Sequence, residues 1–240
     1  MSAITNLSRT AIEQFIKCPR CFYLQRKLGL KPPAMVPLTL AVATDALLKN
    51  EFDIVRESGD RHPLWELHDL KVRAYKHKDI DLWRSNFKGM RVKHSSTGTE
   101  ISGAVDDVWE NLETGEIHIV DYKSTSKKDE PTLDGGFGDG YKRQMDIYQW
   151  IFRQAGFRVS NKGYFLYVNG VKNRLFFEGG VNGVMHFLTT LITYQSDDAW
   201  VDQAITDAVA CLNSLDIPVS GSGCDSCRYY SARKSIQVSE

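Results

Sequence analysis

The chain has 240 residues, enough for one large domain or two small ones. With 42% hydrophobic and 25% charged residues and no repeat or low-complexity tract, it is neither a disordered nor a fibrous protein. No apolar run approaches the ~18 residues that cross a membrane, and the start MSAITNLSRTAIEQF lacks the regions of a signal peptide. These features point to a cytoplasmic protein with no membrane partner.

Net charge is zero, but the charges segregate. Residues 1–35 hold six Lys/Arg against Glu13, and residues 71–93 hold eight against Asp79 and Asp81. Residues 100–140 hold eleven acids against Lys123, Lys127 and Lys128. Acids that hold cations, flanked by basic segments that hold phosphates, would suit a site acting on a polyanion. On charge alone, the basic run 71–93 reads as a solvated face.

In chain order, TAIEQFIK predicts a short helix with Thr10 and Glu13 at capping-box spacing. CPRC interrupts it, and FYLQRKLGL resumes a helical pattern that stops near Gly29. Thr39 to Ser58 predicts a long amphipathic helix through Leu40, Ala43, Leu47, Phe52 and Val55, ending at Gly59. Residues 61–88 carry mixed signals. Strands are expected near 89–95, 100–110 and 116–123. The Gly-rich DGGFGDG reads as a mobile loop able to approach a phosphate chain, and it leads into the helix YKRQMDIYQWIFRQAG. It lacks the Lys-Ser/Thr of a P-loop. YFLYVNGVKNRLFFEG predicts a hairpin turning at Asn169-Gly170. A further strand or helix follows over 184–194, then a helix over Asp198 to Asn213. The class is α/β or α+β around a mixed central sheet flanked by helices.

The acids on the sheet carry the chemistry. Side chains alternate along a strand, so Ile117, Ile119, Asp121 and Lys123 share a face and present an acid and a lysine at its rim. On the preceding strand, an even-numbered hairpin loop such as Thr114-Gly115 places position 108 opposite 121 and Asp106 diagonal to Asp121; an odd loop selects Asp107. Two converging carboxylates repel unless a cation lies between them. Oxygen ligands suit Mg²⁺ or Mn²⁺. Lys123 beside such an ion can orient an attacking water and stabilise a phosphate in transit. Asp-x-Lys alone is as readily a surface ion pair.

The order Gly103, Asp106, Asp121-Tyr-Lys123, then QMDIY resembles the PD-(D/E)XK nuclease superfamily. It is closest to the RecB-like and AddB-like branch, which includes CRISPR-adaptation exonucleases. The resemblance implies a restriction-endonuclease-like core and selects Asp106 over Asp107. It implies ligation of Mg²⁺ or Mn²⁺ by Asp106, Asp121 and the Tyr122 carbonyl, with Lys123 as the catalytic lysine. It also implies Gln144 and Tyr148, one helical turn apart, beside the site. A further acid or histidine expected in the earlier helix has Asp45 or Glu51 as its counterpart here.

CPRC and CDSC are each a thiolate chelate, and together they make a four-coordinate soft site. Such a site, from Cys18, Cys21, Cys224 and Cys227, would clip residues 8–30 to 198–230 as a helical lobe of a single 1–240 domain. Members of the resembling branch place one cysteine early, in a C-P-x-x-F-Y-L context, and three late around a [4Fe–4S] cluster. CPRCFYL fits that context. The two-plus-two distribution leaves Zn²⁺ as the alternative, and Cys211 as an alternative ligand to Cys21.

Five residues of the basic stretch are candidates for nucleic-acid contact: Lys71, Arg73, Lys76, Arg84 and Trp83, the last stacking on single-stranded bases. The reading is a Mg/Mn-dependent deoxyribonuclease, an exonuclease before an endonuclease, acting on single strands or ends. Its setting would be repair, recombination or mobile-element defence, with a helicase or similar protein as partner. The alternative is a nuclease fold that only binds nucleic acid. A copy without chemistry would be expected to have lost Asp106, Asp121 or Lys123.

Overall fold

The computed structural model describes residues 6–33 and 36–237. The elements are β1 (Asn6–Ser8), α1 (Arg9–Lys17), α2 (Pro19–Arg26), α3 (Thr39–Ser58), α4 (Pro63–Leu67), β2 (Val72–Ala74), α5 (Ile80–Trp83) and β3 (Met90–Lys93). They continue as β4 (Glu100–Gly103), β5 (Asp107–Asn111), β6 (Ile117–Thr125), α6 (Gly138–Gln154), β7 (Lys162–Gly170), β8 (Phe187–Gln195), α7 (Val201–Asn213) and α8 (Asp225–Gln237). The described chain is mixed α/β, as expected, with two mixed sheets flanked by helices.

It divides into two compact units. The first joins both chain ends to Arg91–Ser102 and holds most of the three-stranded sheet, ordered β1-β4-β3. Ser8, rather than Thr10, caps α1: its Oγ accepts the Ala11 N–H at 3.2 Å. Cys18 then breaks the helix in an extended conformation, and Pro19 opens α2, where its missing N–H leaves no bond unmade.

The second unit, Val36–Met90 with Gly103–Asp198, is built on a five-stranded sheet ordered β2-β5-β6-β7-β8. The β6–β7 pair is parallel and its neighbours are antiparallel. On one face, Phe52 of α3 packs with Trp65, Trp109, Val120, Tyr122 and Tyr164. On the other lies α6, whose Met145 fills the space that a Cβ on Gly163 would need.

Several expectations are corrected. The single strand 100–110 is two, because Val105 is buried and its N–H donates to the Trp83 carbonyl at 3.2 Å, bending the chain just before Asp106. Asn169-Gly170 is no turn; it ends β7, paired with Leu188 and Phe187. The Asn169 side chain instead holds the Lys127 backbone through both its N–H, at 2.8 Å, and its carbonyl, at 3.1 Å. Helix α6 begins inside DGGFGDG, at Gly138. Helix α3 has the bounds expected, with Gly59 at φ 76° closing it. Its apolar stripe is buried only from Leu48 onward, while Leu40 and Leu47 face outward.

Candidate active site

The site lies in the second unit, where β6 outruns β5. The ladder pairs Asp107 with Val120 and Val108 with Ile119, and the β5–β6 connection is even but longer than the two residues expected. Position 108 therefore faces Ile119 rather than Asp121, and the register continued by one residue carries Asp106 across from Asp121 on the same face. Val105 has already turned away, so the β6 edge is open there. Asp106 covers it: its Oδ2 accepts the Tyr122 N–H at 2.8 Å. In an extended strand the N–H and C=O of one residue point the same way, so the Tyr122 carbonyl also faces this opening.

Asp107 points to the other face. Its carboxylate pairs with the buried Arg56 guanidinium of α3, accepts the Tyr122 hydroxyl at 3.0 Å and accepts the Val108 N–H at 2.8 Å. Adjacent acids thus do different work: Asp107 fixes the sheet to α3, and Asp106 is delivered to the rim.

Around Asp106 and Asp121 the charges interlock. The Lys123 ammonium bonds the Asp121 carboxylate and lies 3.4 Å from Gln144 Oε1. Gln144 Nε2 donates to Asp121 Oδ1 at 2.7 Å and lies 3.1 Å from the Tyr148 hydroxyl. Tyr148 can close on this strand because residue 103 is glycine; a Cβ there would lie 2.8 Å from the Tyr148 ring. From α3, Lys49 sits 2.8 Å from Asp45 and 3.8 Å from Asp106. Burial, and then the Asp121 charge, push Asp106 up to about 7, with Lys123 and Lys49 pulling the other way. Burial works against the charge on Lys123, but Asp121 and Asp106 outweigh it and hold the ammonium above its usual range. Lys123 is therefore a cation at neutral pH.

The structure brings together Asp106, Asp121, Lys123, Gln144 and Tyr148, with Asp45 at the margin. Glu51 is elsewhere, its carboxylate 3.5 Å from His62 and 61% exposed. Three residues that the sequence reading missed belong here. Lys49 follows Asp45 at the i,i+4 spacing of a helical ion pair, which was legible. The Tyr141 ring, one turn before Gln144, lies 4.5 Å from Lys123 Nζ. Tyr167 is the β7 register partner of Lys123, and burial, followed by Tyr141 and Asp121, raises it to about 12.

Two residues of the basic stretch, Trp83 and Arg84, behave otherwise than expected. Trp83 is buried, its ring 4.3 Å from His77 and 5.1 Å from both Phe152 and Phe157, so it is core and not a stacking surface. The Arg84 side chain is 8% exposed and forks onto Asp53 at 2.8 and 2.9 Å. Lys71, Arg73 and Lys76 pair with Asp69, Glu110 and Glu57 at 3.0, 2.7 and 3.0 Å.

A second candidate centre lies in the first unit. The sulfurs of Cys18, Cys21, Cys224 and Cys227 all lie within 4.8 Å of one another. Cys18 Sγ is 3.7 Å from Cys227 Sγ, and Cys21 Sγ is 3.5 Å from both Cys224 and Cys227. The Gly221 N–H donates to Cys18 Sγ at 3.2 Å and the Cys21 N–H at 3.5 Å. Burial disfavours the Cys18 thiolate, yet these donors bring it down to about 7. Cys211 stands apart, 4.0 Å from the Pro19 carbonyl, and so is not an alternative to Cys21. The group can hold a metal ion.

Among the described residues, no helix is long and apolar enough to cross a membrane. Comparison with protein families matches residues 37–232 to the model of the PD-(D/E)XK nuclease superfamily. No curated protein matches the chain.

Proposed function

The chain belongs to the PD-(D/E)XK nuclease superfamily, and from that premise we propose that it is a divalent-metal-dependent deoxyribonuclease of the RecB-like branch. The superfamily makes nuclease-type chemistry on a nucleic acid the general expectation. The observation that carries the finer reading is the convergence of Asp106, Asp121 and Lys123 at one open strand edge.

The donor set fits a hard cation. Asp106, Asp121 and the Tyr122 carbonyl offer oxygen, and burial, then the Asp121 charge, disfavours the Asp106 anion in the absence of a cation. These three would hold Mg²⁺ or Mn²⁺, with Asp45 joined to Asp106 through Lys49. When bound, such an ion supplies positive charge to the phosphoryl oxygens and acidifies a nearby water. Lys123, held as an ammonium, donates to the incoming water or to a phosphoryl oxygen and so stabilises the charge that builds as the P–O bond breaks. Gln144 holds Asp121 in its rotamer, and Tyr148 holds Gln144. We read the enzyme as acting on single strands or ends, in repair, recombination or defence, beside a helicase-like partner.

The cysteine site supports a structural role, since four protein ligands leave no position open. Zn–S bonds of about 2.3 Å in a tetrahedron set sulfurs about 3.8 Å apart. The 3.5–3.7 Å contacts favour that single ion over a [4Fe–4S] cube, which spreads its four thiolates more widely.

Labelled single- and double-stranded DNA, incubated with Mg²⁺, Mn²⁺ or EDTA, tests the reading. Metal-dependent cutting by the native chain that is lost in Lys123→Ala is expected. Binding without cutting in either metal would make the protein a nucleic-acid-binding relative without catalysis.

A further inference from the structure

A row of aromatic rings leaves Lys123 toward solvent. The Tyr141 ring lies 4.5 Å from Lys123 Nζ, and its centroid is 6.4 Å from that of Phe137, with the planes 33° apart. Phe137 is 76% exposed. Its exposure is built by the backbone. Gly135 and Gly136 adopt φ 67° and 54°, conformations that side chains resist. The Gly138 N–H closes the turn onto the Gly135 carbonyl at 2.9 Å. Beneath, Leu133 is buried, and its carbonyl lies 2.0 Å from where a Cβ of residue 138 would stand. The turn is anchored below and at both ends while its phenylalanine is held out. What sets Phe137 apart from other exposed apolar side chains is its place at the outer end of a row that runs through Tyr141 to Lys123.

We propose that Phe137, backed by Tyr141, is a stacking platform for an unpaired nucleobase next to the phosphate that reaches Asp106, Asp121 and Lys123. This rests on the nuclease reading and narrows it to a single-stranded substrate or a frayed end, because a paired base has no free face to offer. The rings carry apolar faces, and Phe137 offers no hydrogen-bonding group, so the platform takes any base. The row links ammonium to outer ring in two contacts of 4.5 and 6.4 Å, which places the base beside the phosphate it flanks. DGGFGDG thus approaches the substrate through a ring rather than through bare glycine backbone.

The test uses the full chain in EDTA, with single-stranded oligonucleotides that are intact or abasic at one position scanned along the strand. Native protein should bind the intact strand about tenfold more tightly than a strand lacking the stacked base, the effect expected of one base–aromatic stack. Phe137→Ala should bind both alike, at the weaker value and with an unchanged melting temperature. Phe137→Trp should restore the preference, and its indole should quench 2-aminopurine at the same position while Phe137→Ala does not. If native protein cuts DNA with Mg²⁺ or Mn²⁺ but Phe137→Ala keeps both the affinity and the abasic penalty, the platform is wrong and the nuclease reading stands. If native protein neither binds nor cuts, both fall.

Discussion

The Gln144 side-chain amide donates to the Asp121 carboxylate at 2.7 Å, tying α6 to the end of β6. One carboxylate oxygen of Asp121 is thereby satisfied by Gln144 while the other faces Lys123. Gln144→Leu removes the donor at nearly constant volume. Loss of such a supporting contact usually costs about 10–100-fold in metal affinity or activity. Cleavage rates measured across a Mn²⁺ titration should show a raised metal requirement, with the melting temperature little changed.

Asp106 gives a pH signature. Its folded value of about 7 lies above the unfolded one, for reasons of burial first and Asp121 second. A raised carboxyl contributes stability that is complete below the unfolded value of about 4 and is lost as pH climbs to the folded one. In EDTA, Asp106→Asn should therefore gain in melting temperature relative to the native chain as pH rises from 5 to 7, with no further gain above 8. Divalent-ion affinity of the native chain should strengthen through the same window, as the proton that competes for Asp106 leaves.

Asp107 should behave as a structural acid. Asp107→Asn leaves the Arg56 guanidinium, whose side chain is 3% exposed, with the part-exposed Asp53 and the Tyr75 carbonyl. Removing one partner of a buried pair typically costs about 3–5 kcal/mol. Urea denaturation should show a loss of this size, against a much smaller one for Asp106→Asn.

Gly103→Ala tests the closeness of Tyr148. The added Cβ would meet the Tyr148 ring at 2.8 Å and Ile151 at 3.0 Å. Overpacking of this kind costs about 1–3 kcal/mol. Thermal melting should register that loss, and cleavage should drop beyond it, because a displaced Tyr148 no longer holds Gln144. Tyr148→Phe, which removes only the hydroxyl, should share the cleavage defect without the loss of stability.

The cysteine site should hold the C-terminal helix in place. No residue of α8 whose burial is described is buried, so its side chains give it little packing of its own. Chelation or Cys227→Ser should open 225–237 to protease while the peptides of α1 and α7 stay protected, read by mass spectrometry. Gly221→Ala should weaken metal retention, because its Cβ would fall 2.2 Å from the Lys17 carbonyl.

The sequence made some of this legible because local rules decided it. Alternation along IHIVDYKST put Asp121 and Lys123 on one face whatever the rest of the fold did. Gly59 ended α3 through its own left-handed backbone. The choice of Asp106 over Asp107 hung on the parity of a loop. The even connection selects Asp106, but its greater length shifts the register by two, so the acids meet across the ladder instead of diagonally. What stayed hidden depended on distant partners. Trp83 sits in a basic run, yet Phe152 and Phe157, far along the chain, bury it. Asn169-Gly170 has the composition of a turn, but the Asn169 amide is engaged by the Lys127 backbone and both residues stay paired at the end of β7. The pairing of the basic candidates with Asp53, Glu57, Asp69 and Glu110 likewise needs the fold before it can be read.

The most direct test is single-turnover cleavage of end-labelled single-stranded DNA in Mn²⁺, comparing the native chain with Lys123→Met. Native protein should cut, and the variant should bind the strand as well but cut about a hundred- to a thousandfold more slowly, the scale of a lost electrostatic stabiliser. Equal cleavage by both, or none by the native chain in any divalent metal, would contradict the account.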